Sequence, residues 1–162
     1  MTGQVLTEQA PPPALEAWVA LLRAHAAVTR DLSAGLLAEH GLSINDYEAL
    51  LRLSEAEDGR LRRVDLAATL LLTASGVTRL LDGLERAGYV EKAACESDAR
   101  VSYAVLTDAG RAKLAAAGSS HVRAIRETFE GDLDEADLRT LAELLGRLPS
   151  LGQCALEGQS AA

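Results

Sequence analysis

Residues 73–92 read TASGVTRLLDGLERAGYVEK and contain a helix start, a helix body and a helix stop. Thr73 suits an N-cap, since its hydroxyl oxygen can accept a hydrogen bond from a free backbone N–H of the first turn. Apolar residues then recur at the spacing i, i+3, i+4 and i+7, which predicts an amphipathic helix. They are Val77, Leu80, Leu81 and Leu84. Gly88 ends this helix.

The segments on either side of this helix predict a winged helix-turn-helix. Residues 60–71 are expected to form a short third helix, whose apolar positions include Leu61, Val64 and Leu71. Almost no linker separates it from Thr73. After Gly88 the period changes to two, so residues 89–92 and 101–106 predict a small β-hairpin around a polar turn. Two successive short helices followed by a hairpin are typical of a winged helix-turn-helix.

Longer helices are predicted to flank this unit, which makes the fold class mainly α with a small β-hairpin wing. Ser43 with Asp46, and Asp134 with Asp137, are spaced as capping boxes, and Thr107 suits another N-cap. We expect flexible tails at 1–13 and 151–162 and a single domain at 14–150. Within it, the DNA-binding lobe covers about 43–106 and the dimerisation helices about 14–40 and 107–148. The leucine-rich sixth helix needs a partner surface, either a second copy or its own subunit.

Composition and motifs argue against a membrane protein, a secreted protein, a metalloprotein and an enzyme. The 162 residues are 48% hydrophobic with a net charge of −8, and no apolar run or basic leader predicts a membrane span or signal peptide. The cysteines, Cys95 and Cys154, lack metal-ligand spacing, and the three histidines are scattered. No catalytic or nucleotide-binding motif is present. We therefore expect a cytoplasmic protein that is not an enzyme and has no metal or cofactor.

The charge distribution permits a DNA-binding surface. Residues 60–100 hold seven basic and six acidic side chains, so the acidity lies elsewhere. The candidates for DNA contact are Thr73 at the helix start and, on the outer face of the helix, Ser75, Thr78, Arg79 and Arg86. Arg79 has the fork geometry for a guanine edge. Arg62 and Arg63 are candidates for phosphate contacts. A merely solvated helix face explains the same residues.

The chain resembles the MarR family of transcriptional regulators. The resemblance is carried by Asp65-Leu66-Ala67, by residues 73–92, by Asp98-Ala99-Arg100 and by residues 106–110, LTDAG. It implies a homodimer whose first, fifth and sixth helices interlock over a palindromic operator. It also implies that Arg100 enters the minor groove and that Asp98 braces it. Ala99 and Gly83 depart from the family pattern, where arginines are frequent, which puts the affinity in doubt.

The resemblance further implies a repressor that a small aromatic acid releases from DNA. The residues on the elements that could line an effector pocket are Trp18, Arg23, His25 and Tyr47. Trp18 also fits the apolar stripe of its helix, which favours a core or dimer-interface role over effector binding. Cys95 lies in the predicted wing turn, where an inert cysteine is favoured over a redox sensor. The alternative function is a winged-helix protein-interaction module without specific DNA binding, which would show almost no salt dependence on DNA.

Overall fold

The computed structural model describes residues 11–94 and 101–148, which form six α-helices and a three-stranded sheet. The helices are α1 (Pro13–His40), α2 (Ile44–Glu55), α3 (Arg63–Thr69), α4 (Ala74–Arg86), α5 (Asp108–Glu130) and α6 (Glu135–Gly146). The strands are β1 (Arg60–Arg62), β2 (Val90–Ala94) and β3 (Ser102–Leu106). The sheet is antiparallel with the order β1-β3-β2.

The helix ends follow local signals, and the predicted caps are confirmed. Gly41 ends α1 in the left-handed conformation with φ 65°, which favours glycine. Ser43 and Asp46 form a complete capping box at α2, and Asp134 and Asp137 form one at α6. Thr107 caps α5 by accepting a hydrogen bond from the Gly110 N–H. These caps satisfy backbone donors that have no partner within the helix.

The predicted third helix at 60–71 is wrong at both ends. Arg60–Arg62 is the strand β1, which pairs with β3, and the helix covers only Arg63–Thr69. Asp58 and Gly59 both adopt positive φ, which reverses the chain and lays β1 along the edge of the hairpin. Leu71, with φ 53°, lies in the turn before α4, and its side chain is exposed rather than part of an apolar helix face.

The core lies where the winged unit meets α2 and α5. Leu50 and Leu53 of α2, Leu66 of α3 and Leu81 of α4 have the largest fully buried side chains. Ala117 of α5 belongs to the same cluster, as do Val90 and Leu106 of the sheet. The inner face of α4 is therefore fixed against the core, and its opposite face lies at the surface.

A tight contact joins the start of α5 to the start of the wing. The Thr107 backbone N–H donates to the carbonyl of Tyr89 at 3.1 Å, and the Thr107 hydroxyl donates to the carbonyl of Gly88 at 2.7 Å. Gly110 packs on this same backbone, where a Cβ would lie 2.7 Å from Leu106 Cδ1 and 3.0 Å from the Tyr89 carbonyl carbon. Gly110 is therefore required for this close approach, although α5 is continuous through it.

Candidate nucleic-acid interface

Helices α3 and α4 form a helix-turn-helix. The two axes are bent by 107° at the break between them, within the 90–120° range of that motif. The Thr73 hydroxyl caps α4 by accepting from the Gly76 N–H at 3.1 Å. Val77, Leu81 and Leu84 are buried and Leu80 is partly buried, which confirms the predicted inner stripe. These contacts present the opposite face of α4 as a rigid surface.

Two arginines project from this outer face. Arg79 is exposed and makes no hydrogen bond or ion pair within the part of the chain that the structure describes. Arg86 is also exposed, and among the described residues only its Nε is engaged, donating to the Asp82 carbonyl at 3.0 Å. Ser75 lies one turn before Arg79, with its hydroxyl 3.2 Å from that of Thr73. The guanidinium donors of Arg79 are therefore available to a base or phosphate.

Arg63 and Thr78 were each predicted to face DNA, and the structure brings them together. Arg63 Nη2 donates to the Thr78 hydroxyl at 2.6 Å, and that hydroxyl donates to the Ala74 carbonyl at 2.7 Å. The Thr78 hydroxyl is thus already both donor and acceptor. This pair joins the first turn of α3 to the second turn of α4.

Arg62 is held by a carboxylate of its own segment. Its Nε and Nη2 donate to the two oxygens of Asp65 at 2.6 and 2.9 Å, a bidentate pair across the start of α3. The hydrogen bond to Asp65 raises the pKa of Arg62 above its ordinary value. Part of the positive charge of Arg62 is therefore compensated before any DNA arrives.

Lys92 was not predicted as a site residue, and it contacts α4. Its Nζ lies 2.9 Å from Asp82 Oδ1 and 2.7 Å from Glu85 Oε2. The hydrogen bonds to Glu85 and Asp82 raise the pKa of Lys92, and the bond from Lys92 lowers the pKa of Asp82. The i, i+3 spacing of Asp82 and Glu85 signals a common helix face, but the sequence does not show that β2 lies beside it.

A surface cavity of about 460 Å³ lies between the two helices and the start of β3. It is lined by Arg62, Arg63, Val64, Ala67, Ala74, Val77, Thr78, Val101 and Ser102. The predicted wing residues Asp98 and Arg100, and Cys95, lie outside the described residues. Their assigned roles stay predictions.

The four candidate effector residues do not converge within one chain. Trp18 is 56% exposed, and Arg23 and His25 are also exposed on the first half of α1. Tyr47 of α2 is half-buried and packs on His121 of α5, with ring centroids 4.6 Å apart. His40, at the end of α1, lies about 33 Å along the helix from Trp18, and its Nε2 is 2.6 Å from the hydroxyl of Ser120, which precedes His121. Tyr47 therefore lies at the far end of α1 from Trp18.

His121 is the buried polar side chain at this junction of α2 and α5. It is 9% exposed, and its Nδ1 has no hydrogen-bond partner among the described residues. Burial lowers the pKa of His121 and raises the pKa of Tyr47. Within residues 11–94 and 101–148 no cluster of three or more His, Cys, Asp or Glu side chains is arranged to hold a metal ion.

Known proteins are similar to this chain in both sequence and architecture. A sequence profile of the MarR family matches residues 40–101. The HTH-type transcriptional repressor YetL of Bacillus subtilis is 32% identical over 114 residues, which is 68% of each chain. The crystal structure of AbsC, a MarR family transcriptional regulator from Streptomyces coelicolor, has 33% identity and a TM-score of 0.74, over 86% of this chain and 93% of that one.

The chain belongs to the MarR family. Another MarR family regulator from Streptomyces coelicolor, Sco3205, was crystallised in complex with DNA and has 28% identity and a TM-score of 0.76, over 89% of this chain and 94% of that one. The family consists of transcriptional regulators, so this chain is a DNA-binding regulator, as the sequence resemblance predicted. In the described residues, no single helix has the length and apolar character needed to cross a membrane.

Proposed function

We propose that this protein is a dimeric repressor that reads a palindromic operator with α4 and is released by a small-molecule effector. The observation that carries the proposal is the placement of Arg79. It lies on the outer face of a capped, core-anchored helix at the helix-turn-helix angle, with its guanidinium free of partners in the described residues. A bidentate contact from Arg to guanine is the commonest specific base contact of the major groove.

The apolar surface left on the helices around the winged unit supports the dimer. No residue of α6, which the structure describes in full, is buried. The large apolar side chains exposed on α1, α5 and α6 are Leu15, Trp18, Leu22, Leu37, Val122, Leu144 and Leu145. Burial of apolar surface stabilises association by about 25 cal/mol per Å². A two-fold dimer would place two α4 helices on half-sites about 10 base pairs apart, which matches a palindrome.

Tyr47 supports the effector part of the proposal because it lies where α2 packs on α5, beside the winged unit formed by α3, α4 and the sheet. A ligand that inserted beside Tyr47 and His121 would change the angle between the winged unit and α5, and with it the separation of the two α4 helices. A panel of aromatic acids titrated against the operator complex tests this part. Release by at least one acid supports the effector, and an unchanged complex across a broad panel would remove it.

The main experiment compares Arg79→Ala with Arg79→Lys on an operator selected from a random pool. If Arg79 reads a base, Arg79→Ala costs about 1–3 kcal/mol and relaxes preference at one position of each half-site. Arg79→Lys keeps the charge but loses the fork, so it should restore little of the preference. Arg52→Ala is the matched control and should leave binding unchanged, because Arg52 lies on α2, outside the proposed DNA surface and the helices proposed to dimerise, and pairs with Glu48 and Glu55.

The salt dependence of binding distinguishes this function from a winged-helix protein-interaction module. A DNA regulator loses affinity steeply as salt rises, because phosphate contacts release counterions. A protein-interaction module would bind duplex DNA weakly at every salt concentration. Equal, negligible effects of Arg79→Ala and Arg79→Lys on the selected operator would overturn the docking of α4.

A further inference from the structure

Lys92 joins the two elements that a winged helix-turn-helix presents to DNA. Its ammonium bonds Asp82 and Glu85 of α4 at 2.9 and 2.7 Å, while its backbone belongs to β2, opposite Ala104 of β3. The three side chains are each about 40% exposed, so the group lies at the surface between helix and strand. We call Lys92, Asp82 and Glu85 the wing clamp.

The wing clamp adds side-chain contacts between α4 and β2 to the backbone bonds of the link, in which the Gly88 and Tyr89 N–H groups donate to the Glu85 and Leu84 carbonyls, each at 2.9 Å. Only residues 87–89 separate the two elements, and Gly88, with φ 76°, is the conformationally permissive point of that link. Val90 anchors the beginning of β2 in the core, but Glu91 and Ala94 beyond it are exposed. Beyond Val90, β2 is held by its pairing with β3 and by side chains that reach α4, and Lys92 makes two such bonds to α4.

The wing clamp also compensates two carboxylates beside the proposed DNA surface. Asp82 lies one turn after Arg79 and one turn before Arg86 on the outer face of α4. Uncompensated, Asp82 and Glu85 would repel the phosphate backbone. The ammonium of Lys92 lies within hydrogen-bond distance of both carboxylates, so two of its three donors are already engaged.

We propose that Lys92 is a positioning residue for DNA binding, which sets the wing against α4 through Asp82 and Glu85 rather than contacting phosphate itself. The inference rests on the proposed function, because it assigns how α4 and the wing are held for the same operator. A designed site loses affinity when its supporting contacts leave it about 1 Å too loose. The wing clamp is such a support.

The double variant Asp82→Asn, Glu85→Gln separates positioning from phosphate contact by the sign of its effect. It removes two negative charges and frees the ammonium of Lys92. If Lys92 were a phosphate contact held back by the carboxylates, the variant would bind all DNA more tightly. If the wing clamp positions the wing, the variant binds the selected operator at least about threefold more weakly, while binding to a random-sequence duplex of equal length strengthens.

Glu91→Gln is the matched control, because Glu91 is an exposed carboxylate on the same strand and outside the wing clamp. It should not weaken operator binding. Lys92→Met should weaken operator binding in the same direction as the double variant. Exposed ion pairs add little to global stability, so thermal unfolding should stay within a few degrees of the wild type for all three.

The outcomes distinguish a failure of the proposed function from a failure of the wing clamp. Failure of the wild-type protein to select or bind any operator would overturn the proposed function. A wild-type protein that binds, together with a double variant that binds the operator as tightly or more tightly, would overturn the wing clamp alone. Weaker operator binding by the double variant and undiminished binding by Glu91→Gln would support it.

Discussion

Gly110→Ala should destabilise the fold, although alanine is the better helix former. A Cβ at Gly110 would lie 2.7 Å from Leu106 Cδ1 and 3.0 Å from the Tyr89 carbonyl carbon, whereas carbon atoms pack at about 3.5–4.0 Å. To accept this Cβ, α5 and its neighbours would have to move apart by roughly 1 Å. The Tyr89 carbonyl also accepts the Thr107 N–H at 3.1 Å, so it cannot retreat without loss of that bond.

The size of the effect follows from two opposing contributions. Overpacking at a well-packed site costs about 1–3 kcal/mol, while replacing glycine by alanine within a helix gains up to about 1 kcal/mol. Since the neighbour is backbone, the overpacking cost lies at the upper end of its range, and after subtraction of the helix gain we expect the free energy of unfolding to fall by about 2 kcal/mol. Gly83→Ala is the matched control, because a Cβ at Gly83 in the middle of α4 meets nothing within 4 Å. It should gain about 0.5–1 kcal/mol.

The assay is urea unfolding of wild type and both variants at one fixed protein concentration, because association makes apparent stability depend on concentration. The midpoints should shift in opposite directions with similar slopes. If Gly110→Ala is as stable as Gly83→Ala, the close approach of α5 to the Tyr89 backbone does not constrain the fold, and the account of this junction is wrong.

Three further results are expected. Burial lowers the pKa of His121, so below about pH 6.5 the unfolded state binds more protons than the folded state, and the free energy of unfolding falls as the pH drops. His121→Phe should reduce this loss, measured by urea unfolding at pH 5 and 7. The same loss of stability in wild type and variant would contradict the prediction. Thr73→Ala removes the α4 cap and should cost about 0.5–2 kcal/mol of unfolding free energy, whereas Thr73→Ser should retain most of it. Leu145→Glu on α6 should shift sedimentation toward the monomer and weaken operator binding; a dimer of unchanged strength would show that this face is not the interface.

Elements whose signals are local were predictable from the sequence. The capping boxes at Ser43 and Asp134 act over three residues, and the inner stripe of α4 follows from the helical period. The strand β1 was not predictable in the same way, because Arg60–Arg62 pairs with residues more than forty positions away. Three residues between a polar turn and a helix carry no periodicity of their own.

In the candidate site, too, local sequence signals were sufficient for some residues, whereas tertiary packing determines the contacts of others. Helical spacing identified Arg79 and Arg86 as outward-facing, and both are exposed. The partners of Arg63 and Lys92 depend on how α3 and β2 pack against α4, which the sequence does not show. The DNA contacts of all these residues, and those of Asp98 and Arg100, stay predictions.

The internal pairing of basic side chains near α4 bears on how a regulator of this kind searches a chromosome. Neighbouring side chains of the same chain already engage hydrogen-bond donors of Arg62, Arg63 and Lys92. The protein as a whole carries a net charge of −8. Binding to arbitrary DNA comes almost entirely from phosphate neutralisation and counterion release. We therefore expect short dwell times on unrelated sequences and a search dominated by diffusion through solution rather than by long sliding. A regulator that dissociates quickly from unrelated DNA can rebind its operator soon after that operator becomes free.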